Sequence, residues 1–351
     1  MLKDIRVSCA PHISQHLSTR GVMIDVIIGL APAMVAAGYF FRVRAALLIA
    51  TCIITSVATE WLCNLVRKKP NSIDDFSAVV TGIILALSLP PALPVWAAVI
   101  GSVFAIAIGK MVFGGLGANI FNPAMAGRTF LTASFGVLMT TWTVPATINA
   151  ENPRVDPDNR IKNVTNEGLV NVITQATPLA LSKQAIKGKE IEQTYRAEDY
   201  NNQVLKYAFI GDIGGCLGET SAIALLIGGA YLLIRRTINF HIPAAVLLSA
   251  FIFSGIANLI NPDAYVSPWF HLASGGMLLC AFFIATDPVT APLTRRGMWI
   301  FGAGVGAVIM LIRIVGEYPE GVMFSVLLMN AVTPLIDRLC RRVPAGGKPG
   351  G

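Results

Sequence analysis

Residues 77–94 read SAVVTGIILALSLPPALP, and residues 274–292 read SGGMLLCAFFIATDPVTAP. Each segment is a run of small and apolar residues that ends in a loop punctuated by proline. Residues 29–41 and 225–238 resemble each other in the same way, and both pairs are separated by roughly 197 positions. Similarity at a near-constant separation is expected of a duplicated sequence. We therefore interpret the chain as two repeated halves, although apolar helices can resemble one another without a common origin.

The composition around these segments predicts a membrane protein. The chain has 351 residues, of which 54% are hydrophobic and 13% are charged, whereas soluble domains carry about 25% charged residues. Apolar runs of roughly 18 residues or more recur along it, as in transmembrane helices. We predict an all-α polytopic membrane protein with about ten transmembrane helices, at residues 21–41, 45–66, 75–89, 95–112, 120–142, 218–235, 241–260, 268–286, 297–314 and 318–337.

The basic residues of the short loops indicate the orientation of these helices. With the N-terminus in the cytoplasm, most Lys and Arg residues fall on the cytoplasmic side, among them Arg67, Lys110 and Arg235. The outer side receives Arg42 and Arg44, with Arg313 near an outer helix end. Cytoplasmic loops are enriched in Lys and Arg, so this asymmetry predicts that both termini are cytoplasmic.

Five crossings is an odd number, so the two halves would insert with opposite topology. Inverted repeats commonly place the functional site near the midplane, at interrupted helices between the halves. The predicted organisation is a cytoplasmic N-terminal tail, a first five-helix half, an extracytoplasmic insert, a second five-helix half and a cytoplasmic tail, at residues 1–20, 21–142, 143–205, 206–340 and 341–351.

Several classes of site are disfavoured by the sequence. The net charge of +7 belongs to helix ends that set membrane orientation, so we expect no nucleic-acid partner. The six cysteines show no CxxC spacing, which argues against a disulfide framework, an iron–sulfur cluster or a zinc site. His12 and His16 have no nearby carboxylate or cysteine set. We therefore predict no metal site.

The stretch GGLGANIFNPAMAGR, residues 114–128, could bind a ligand. Gly114 and Gly115 permit close backbone approach, and Asn119 and Asn122 add hydrogen-bond donors and acceptors. Such a turn could receive a flavin ring or a phosphate on its backbone amides, but it could equally be a tight cytoplasmic hairpin. Arg128 lies inside the following span, where a charge needs a partner or an aqueous cavity.

Four acidic residues lie in or at the ends of the apolar spans: Asp25, Glu60, Glu219 and Asp287. Ionised groups in a membrane mark ion paths or salt bridges, so all four are candidates for a cation path, with Asp287 the leading one. Glu219 opens a helix, where an acid is ordinary capping chemistry. For Asp25 and Glu60 a salt bridge at the end of a span is an equal alternative.

The polar segment ITQATPLALSK, residues 173–183, lies in the predicted extracytoplasmic insert and holds Thr177 between a small residue and a proline. No base is arranged in sequence around this hydroxyl, so nucleophilic catalysis is not expected. A covalent modification site is an alternative that composition cannot define.

Four motifs, GGLGANIFNPAMAGR (114–128), GETSAIALLIGGAYLLIRR (218–236), FIATDPVTAPLTRRG (283–297) and EYPEGVMFSVLLMNAVTPLIDR (317–338), carry a family resemblance. Together they strongly resemble the D subunits of Rnf complexes, and more distantly the B subunit of the sodium-translocating NADH:quinone reductase. The resemblance runs in register over nearly the whole chain.

This resemblance implies a function in a bacterial or archaeal cell membrane. Rnf complexes pass electrons between ferredoxin and NAD, coupled to Na+ or H+ transport. The family's D subunit carries FMN attached through its phosphate to a threonine, which makes it a phosphoprotein. The attachment pattern falls here on Thr174-Gln175-Ala176-Thr177, so Thr177 would hold the FMN. A second flavin, riboflavin or a relative of it, is expected within the helix bundle, with Gly114, Gly115, Asn119 and Asn122 as candidate contacts.

The resemblance also implies partners. These are the A and E membrane subunits, the G flavoprotein, the soluble C and B subunits that react with NAD and ferredoxin, and a flavin transferase. Alone, the chain is expected to have no turnover. Two other interpretations remain open at this stage: a quinone-reductase B-type subunit, and a secondary transporter without a cofactor, for which inverted repeats and broken helices are equally suitable.

Overall fold

The computed structural model describes residues 18–68, 72–142, 209–211, 214–261, 265–316, 318 and 320–340. The predictions for residues 1–17, for the whole 143–205 insert with Thr177, and for residues 341–351 therefore lie outside the described residues. Within the described part the chain is helical and contains no strand, which confirms the all-α part of the predicted fold class. The helices are α1 (Thr19–Val66), α2 (Ser77–Leu87), α3 (Val95–Ile106), α4 (Pro123–Ser134), α5 (Gly136–Met139), α6 (Ala222–Ile234), α7 (His241–Ile260), α8 (Pro268–Ala273), α9 (Met277–Leu279), α10 (Arg295–Ile314) and α11 (Val322–Leu339).

Helix α1 contains two arms that meet at Arg42. It starts at the Ser18 cap, whose hydroxyl accepts from the Gly21 N–H. The helix has 48 residues, about 72 Å if straight, far more than the roughly 30 Å of a bilayer core. The backbone leaves helical geometry at Arg42 (φ 50°), so the chain can turn back there. The turn falls between the predicted spans 21–41 and 45–66.

Four helices among the described residues are long and apolar enough to cross a membrane: α1, α7, α10 and α11. Shorter apolar helices comprise α2, α6 and α3, the last of which continues through a π-helical turn, Ala107–Met111. These helices indicate a multi-pass membrane protein.

Helix α2 is too short to cross a bilayer by itself. Its 11 residues rise about 16 Å, yet ten of them are buried. Carbonyl groups at and just after its C-terminal end accept hydrogen bonds from the segment that precedes α6. The N–H of Gly218 donates to Leu87 O (2.7 Å), and that of Leu217 donates to Leu89 O (3.0 Å). A helix end at membrane depth is tolerated when protein satisfies its backbone groups.

The predicted span 268–286 is also interrupted. Helix α8 stops at Ala273, and the chain resumes as α9 and a π-helical turn, Cys280–Ile284. The interruption contains Gly275, whose φ of +67° is left-handed. Predicted span 120–142 is similarly divided into α4 and the single turn α5.

Glycines allow the closest helix contacts. In α6, a Cβ placed on Gly228 would lie 1.9 Å from the carbonyl oxygen of Gly29 in α1. In α10, Gly302 and Gly306 lie against the backbone oxygens of Ile242 and Val246 in α7. The i, i+4 spacing of these two glycines is the small-residue pattern of membrane helix pairs, and their role is helix packing.

Candidate functional site

A cavity lies between the N-terminal and C-terminal groups of helices. Its walls come from α1, α2, the α3–α4 connection, α6 and the turn after α9. The wall is mainly apolar, with Val22, Val80, Ile84, Phe282 and Phe283 among its residues. An apolar wall with a small number of polar groups is typical of ligand and cofactor sites.

The structure brings part of the 114–128 stretch to this cavity. Asn119 and Asn122 line it and are buried, whereas Gly114 and Gly115 are not among the residues that line it. The two glycines have φ values of +135° and +109°, which glycine adopts without strain. They form the turn that carries the chain from the π-helical turn towards α4. The stretch therefore contains a tight turn at the glycines and a polar part of the cavity wall at the asparagines.

The two asparagines differ in how their hydrogen-bonding groups are satisfied. Asn122 caps α4 by accepting from the Met125 N–H (3.2 Å), and its amide nitrogen donates to Ile284 O (3.4 Å). Asn119 donates to Phe121 O (3.2 Å), but its buried Oδ1 has no hydrogen-bond partner in the part of the chain that the structure describes. A buried acceptor without a partner is costly, so Asn119 Oδ1 is the available acceptor of this wall.

Asp287, the leading candidate acid for a cation path, lines the same cavity. Its carboxylate accepts from the Val289 N–H (3.2 Å) and the Thr290 hydroxyl (3.1 Å). The residue as a whole is partly exposed, but surrounding protein atoms desolvate its carboxyl and raise its pKa, against the two hydrogen bonds, which lower it. No basic side chain is among the partners given by these contacts.

Glu60 is paired, not free. Its two carboxylate oxygens each lie 2.8 Å from Lys110 Nζ, and both side chains are about 1% exposed. Lys110 also donates to the Ser77 hydroxyl (2.6 Å), and the Ser72 hydroxyl donates to Glu60 (2.5 Å). This confirms the salt-bridge alternative for Glu60. It corrects the placement of Lys110 among loop charges: the residue belongs to the π-helical turn and lines the cavity.

Glu219 does not serve as a simple helix cap. The N-cap of α6 is Ser221, whose hydroxyl accepts from the Ala224 N–H. Glu219 instead lies 3.4 Å from Arg128 Nη2, and both side chains are buried. The partner that a charge at position 128 requires is therefore an acid 91 positions later in the chain, which the sequence spacing did not reveal.

Asp25 also joins distant parts of the chain. Its carboxylate accepts from the hydroxyls of Thr237 (2.9 Å) and Tyr231 (3.2 Å), and it lies 3.5 Å from Arg235. The Arg235 side chain is 59% exposed, so this pair is at the surface end of the helix bundle. The salt-bridge alternative holds for Asp25 as well.

A further buried ion pair escaped the sequence analysis. Arg313 donates to His271 O (2.7 Å) and Ser274 O (3.0 Å) and pairs with Glu320 (3.2 Å). Glu320 in turn accepts from the Gly276 N–H (3.1 Å). The EYPEG motif holds this acid next to a helix start, but the sequence offers no signal for its partner. No cluster of metal-binding side chains occurs among the described residues.

Comparison with known proteins places this arrangement in a family. The model of the NQR2, RnfD, RnfE family matches residues 6–346. The chain belongs to the NQR2, RnfD, RnfE family. The match includes the cavity-lining loop, the paired acids and the α8–α9 interruption, so these features lie in the family's shared region.

Individual relatives within the NQR2, RnfD, RnfE family are similar over almost their full length. The D subunit of the Na(+)-translocating ferredoxin:NAD(+) oxidoreductase complex of Acetobacterium woodii is 42% identical over 338 residues, which are 96% of this chain and 94% of the relative. The D subunit of the proton-translocating ferredoxin:NAD(+) oxidoreductase complex of Clostridium ljungdahlii is 40% identical over 344 residues, 97% and 96% of the two chains. The D subunit of the ion-translocating oxidoreductase complex of Stutzerimonas stutzeri is 40% identical over 334 residues, 93% of each chain.

Proposed function

We propose that this chain is the D-type membrane subunit of an ion-translocating ferredoxin:NAD oxidoreductase, and that it relays electrons through bound flavin in step with cation movement. The support is that relatives named as the D subunits of such complexes match almost the whole chain. One of these relatives is named Na(+)-translocating and another proton-translocating, so the coupling ion of this chain stays open. Catalysis is proposed for the assembled complex of A, B, C, D, E and G subunits, not for this chain alone.

The proposed topology is ten crossings in two inverted halves, with both termini in the cytoplasm. It is supported by the order of the elements, because each proposed half has a short buried helix in its middle, α2 and the α9 π-helical segment. It is also supported by the basic side chains at short loops. Cysteine labelling at Arg236 and Arg42, both in exposed turns, tests it, because these sites must react from opposite sides.

The first proposed cofactor is FMN joined through its phosphate to Thr177, on the extracytoplasmic side. Its support is the Thr-Gln-Ala-Thr pattern at 174–177 and the family membership. Co-expression with a flavin transferase should give a fluorescent band on a denaturing gel, and Thr177→Ala should abolish the band. Thr165→Ala in the same insert is the matched control and should keep it. A band that persists in Thr177→Ala places the attachment at another residue.

The second proposed cofactor is a non-covalent flavin in the cavity between the helix groups. The Phe282 and Phe283 walls suit an aromatic ring system. The unpartnered Asn119 Oδ1 fits the imide N–H of a flavin, which needs an acceptor. The residues present therefore fit the group, and bound flavin would supply electron-transfer chemistry that no side chain provides.

The non-covalent flavin can be tested separately from the covalent one. Protein carrying Thr177→Ala should release flavin on denaturation, and adding Asn119→Leu should reduce the amount bound. Asn258→Leu is the control, because that amide donates to Tyr265 O and does not line the cavity. Equal flavin content in the Asn119 and Asn258 variants would remove Asn119 as a contact.

For the cation path, we propose Asp287 as the leading ligand among the four acids. Asp25, Glu60 and Glu219 each lie within 3.5 Å of a basic side chain, whereas the contacts of Asp287 are with neutral donors beside the cavity. An acid that has no basic partner among the described residues is better able to bind a cation. Asp287→Asn should lower the number of ions transported per electron, and Asp74→Asn, at an exposed position, should not. Unchanged stoichiometry in the Asp287 variant removes it from the path.

Bound flavin also separates this proposal from its two rivals. A secondary transporter without a cofactor would be colourless after correct maturation. A quinone-reductase B-type subunit would carry flavin but would assemble with a different set of subunits. Co-purification with ferredoxin- and NAD-reacting subunits therefore decides between the two flavin-carrying alternatives.

A further inference from the structure

The Lys110–Glu60 pair is the most completely satisfied charge contact beside the cavity. Lys110 Nζ has three hydrogens, and its three acceptors are the two oxygens of Glu60 at 2.8 Å and Ser77 Oγ at 2.6 Å. The pair is extended on both sides, because Ser77 Oγ donates to Asp75 and the Ser72 hydroxyl donates to Glu60. Lys110 is therefore fixed in position and has no hydrogen left for another acceptor.

The pair is oriented with respect to the cavity. Lys110 and Ser77 line the cavity, whereas Glu60 is not among the residues that line it. Among the described lining residues, two are charged, Lys110 and Asp287. Of the two paired residues, the one at the cavity wall is therefore the lysine.

The position of the pair matters because its electric field is only weakly screened by water. Both side chains of the pair are about 1% exposed, and charges in a protein interior interact several times more strongly than in water. A buried ion pair adds little stability compared with well-packed apolar side chains. The pair therefore contributes mainly a fixed field, with its positive end at the cavity wall.

We propose that Lys110, held by Glu60 and Ser77, is an electrostatic tuning residue that raises the reduction potential of a flavin bound in this cavity. This inference rests on the proposed non-covalent flavin. Transfer of one electron to the flavin from a donor adds one negative charge to the cavity. A fixed positive charge at the wall lowers the free energy of that more negative state, and so favours reduction.

The inference predicts shifts of opposite sign for the two members of the pair. Lys110→Gln removes the positive charge at the cavity wall and should lower the potential of the one-electron couple. A tenfold change in the equilibrium constant, about 59 mV for one electron, is the expected scale. Glu60→Gln leaves the positive charge uncompensated and should raise the potential.

The experiment is spectroelectrochemical titration of the full-length chain in the Thr177→Ala background, where the covalent flavin is absent. Glu320→Gln is the matched control, because that buried carboxylate pairs with Arg313 and does not line the cavity. It should leave the potential unchanged. The readout is the midpoint potential of the dissociable flavin, which does not depend on turnover of the complex.

A double variant, Glu60→Gln with Lys110→Gln, covers the case in which a single variant fails to fold. It leaves no uncompensated buried charge, and its potential should still be lower than that of the parent, because the charge at the cavity wall dominates. Single variants that shift in the same direction, or a parental potential in the Lys110 variant or the double variant, overturn the inference alone. Absence of dissociable flavin from the parent overturns the proposed cavity flavin and this inference together.

Discussion

Arg128 in α4 and Glu219, which precedes α6, form a buried ion pair between the first and second halves of the sequence. The Nη2 and Oε1 atoms are 3.4 Å apart, and the residues are 91 positions apart in the chain. The same nitrogen lies 3.4 Å from Cys216 Sγ, while Nε and Nη1 of Arg128 have no hydrogen-bond partner among the described residues. Each side chain of this pair is therefore stabilised in its charged form mainly by the other.

We expect Glu219→Gln to destabilise the protein strongly. The substitution leaves the Arg128 guanidinium buried without a counter-charge, and breaking a buried pair costs about 3–5 kcal/mol. Thermal unfolding of the detergent-solubilised chain measures the effect. The control is Arg235→Gln, which breaks the exposed pair with Asp25 and should cost about 1 kcal/mol or less. Equal losses in the two variants would contradict the dependence of Arg128 on Glu219.

We expect Gly228→Ala to disrupt the contact between α1 and α6. The added Cβ would meet the Gly29 carbonyl oxygen, which is backbone and cannot move away without separating the helices. Gly38→Ala in α1 is the matched control, because nothing lies within 4 Å of its Cβ position, and alanine in a helix is favoured over glycine by about 1 kcal/mol. Thermal unfolding should show a large loss for Gly228→Ala and none for Gly38→Ala. Similar stabilities would contradict the close crossing.

The helical class and most helix positions followed from hydropathy, because membrane helices satisfy their own backbone and need only length and apolar residues. The interruptions were harder to predict. Helix α2 ends near the Pro90-Pro91 pair, and proline is a visible signal. The break between α8 and α9 depends on hydrogen bonds from Arg313 and to Glu320, which are tertiary contacts.

Part of the candidate site could also be predicted from the sequence. Asn119, Asn122 and Asp287 were recognised as polar residues at turns, and the cavity brings the three together. Lys110 was counted as a loop cation because hydropathy shows only a charge near a helix end. Its burial depends on Glu60, 50 positions earlier, and a single sequence carries no information on which distant charges meet.

We expect Asp287 to make the stability of the folded chain depend on pH. Desolvation raises its pKa in the folded protein, so its favourable contribution is complete below the unfolded value of about 3.9. That contribution is lost as the pH rises through the higher folded value. As the pH rises over this range, the unfolding temperature of Asp287→Asn should therefore increase relative to that of the parent. A difference that is constant with pH would contradict a raised pKa.

We expect Arg313→Lys to open the interruption between α8 and α9. The guanidinium donates at once to His271 O, Ser274 O and Glu320, and a lysine ammonium cannot reproduce this planar, multidentate geometry. Limited proteolysis should cleave the variant faster near residues 274–276 than the parent. Arg296→Lys is the control, because that side chain is exposed at the start of α10, and its cleavage should be unchanged. If Arg313→Lys keeps the parental cleavage rate and thermal stability, the charge alone holds the interruption and the shape of the guanidinium is unimportant.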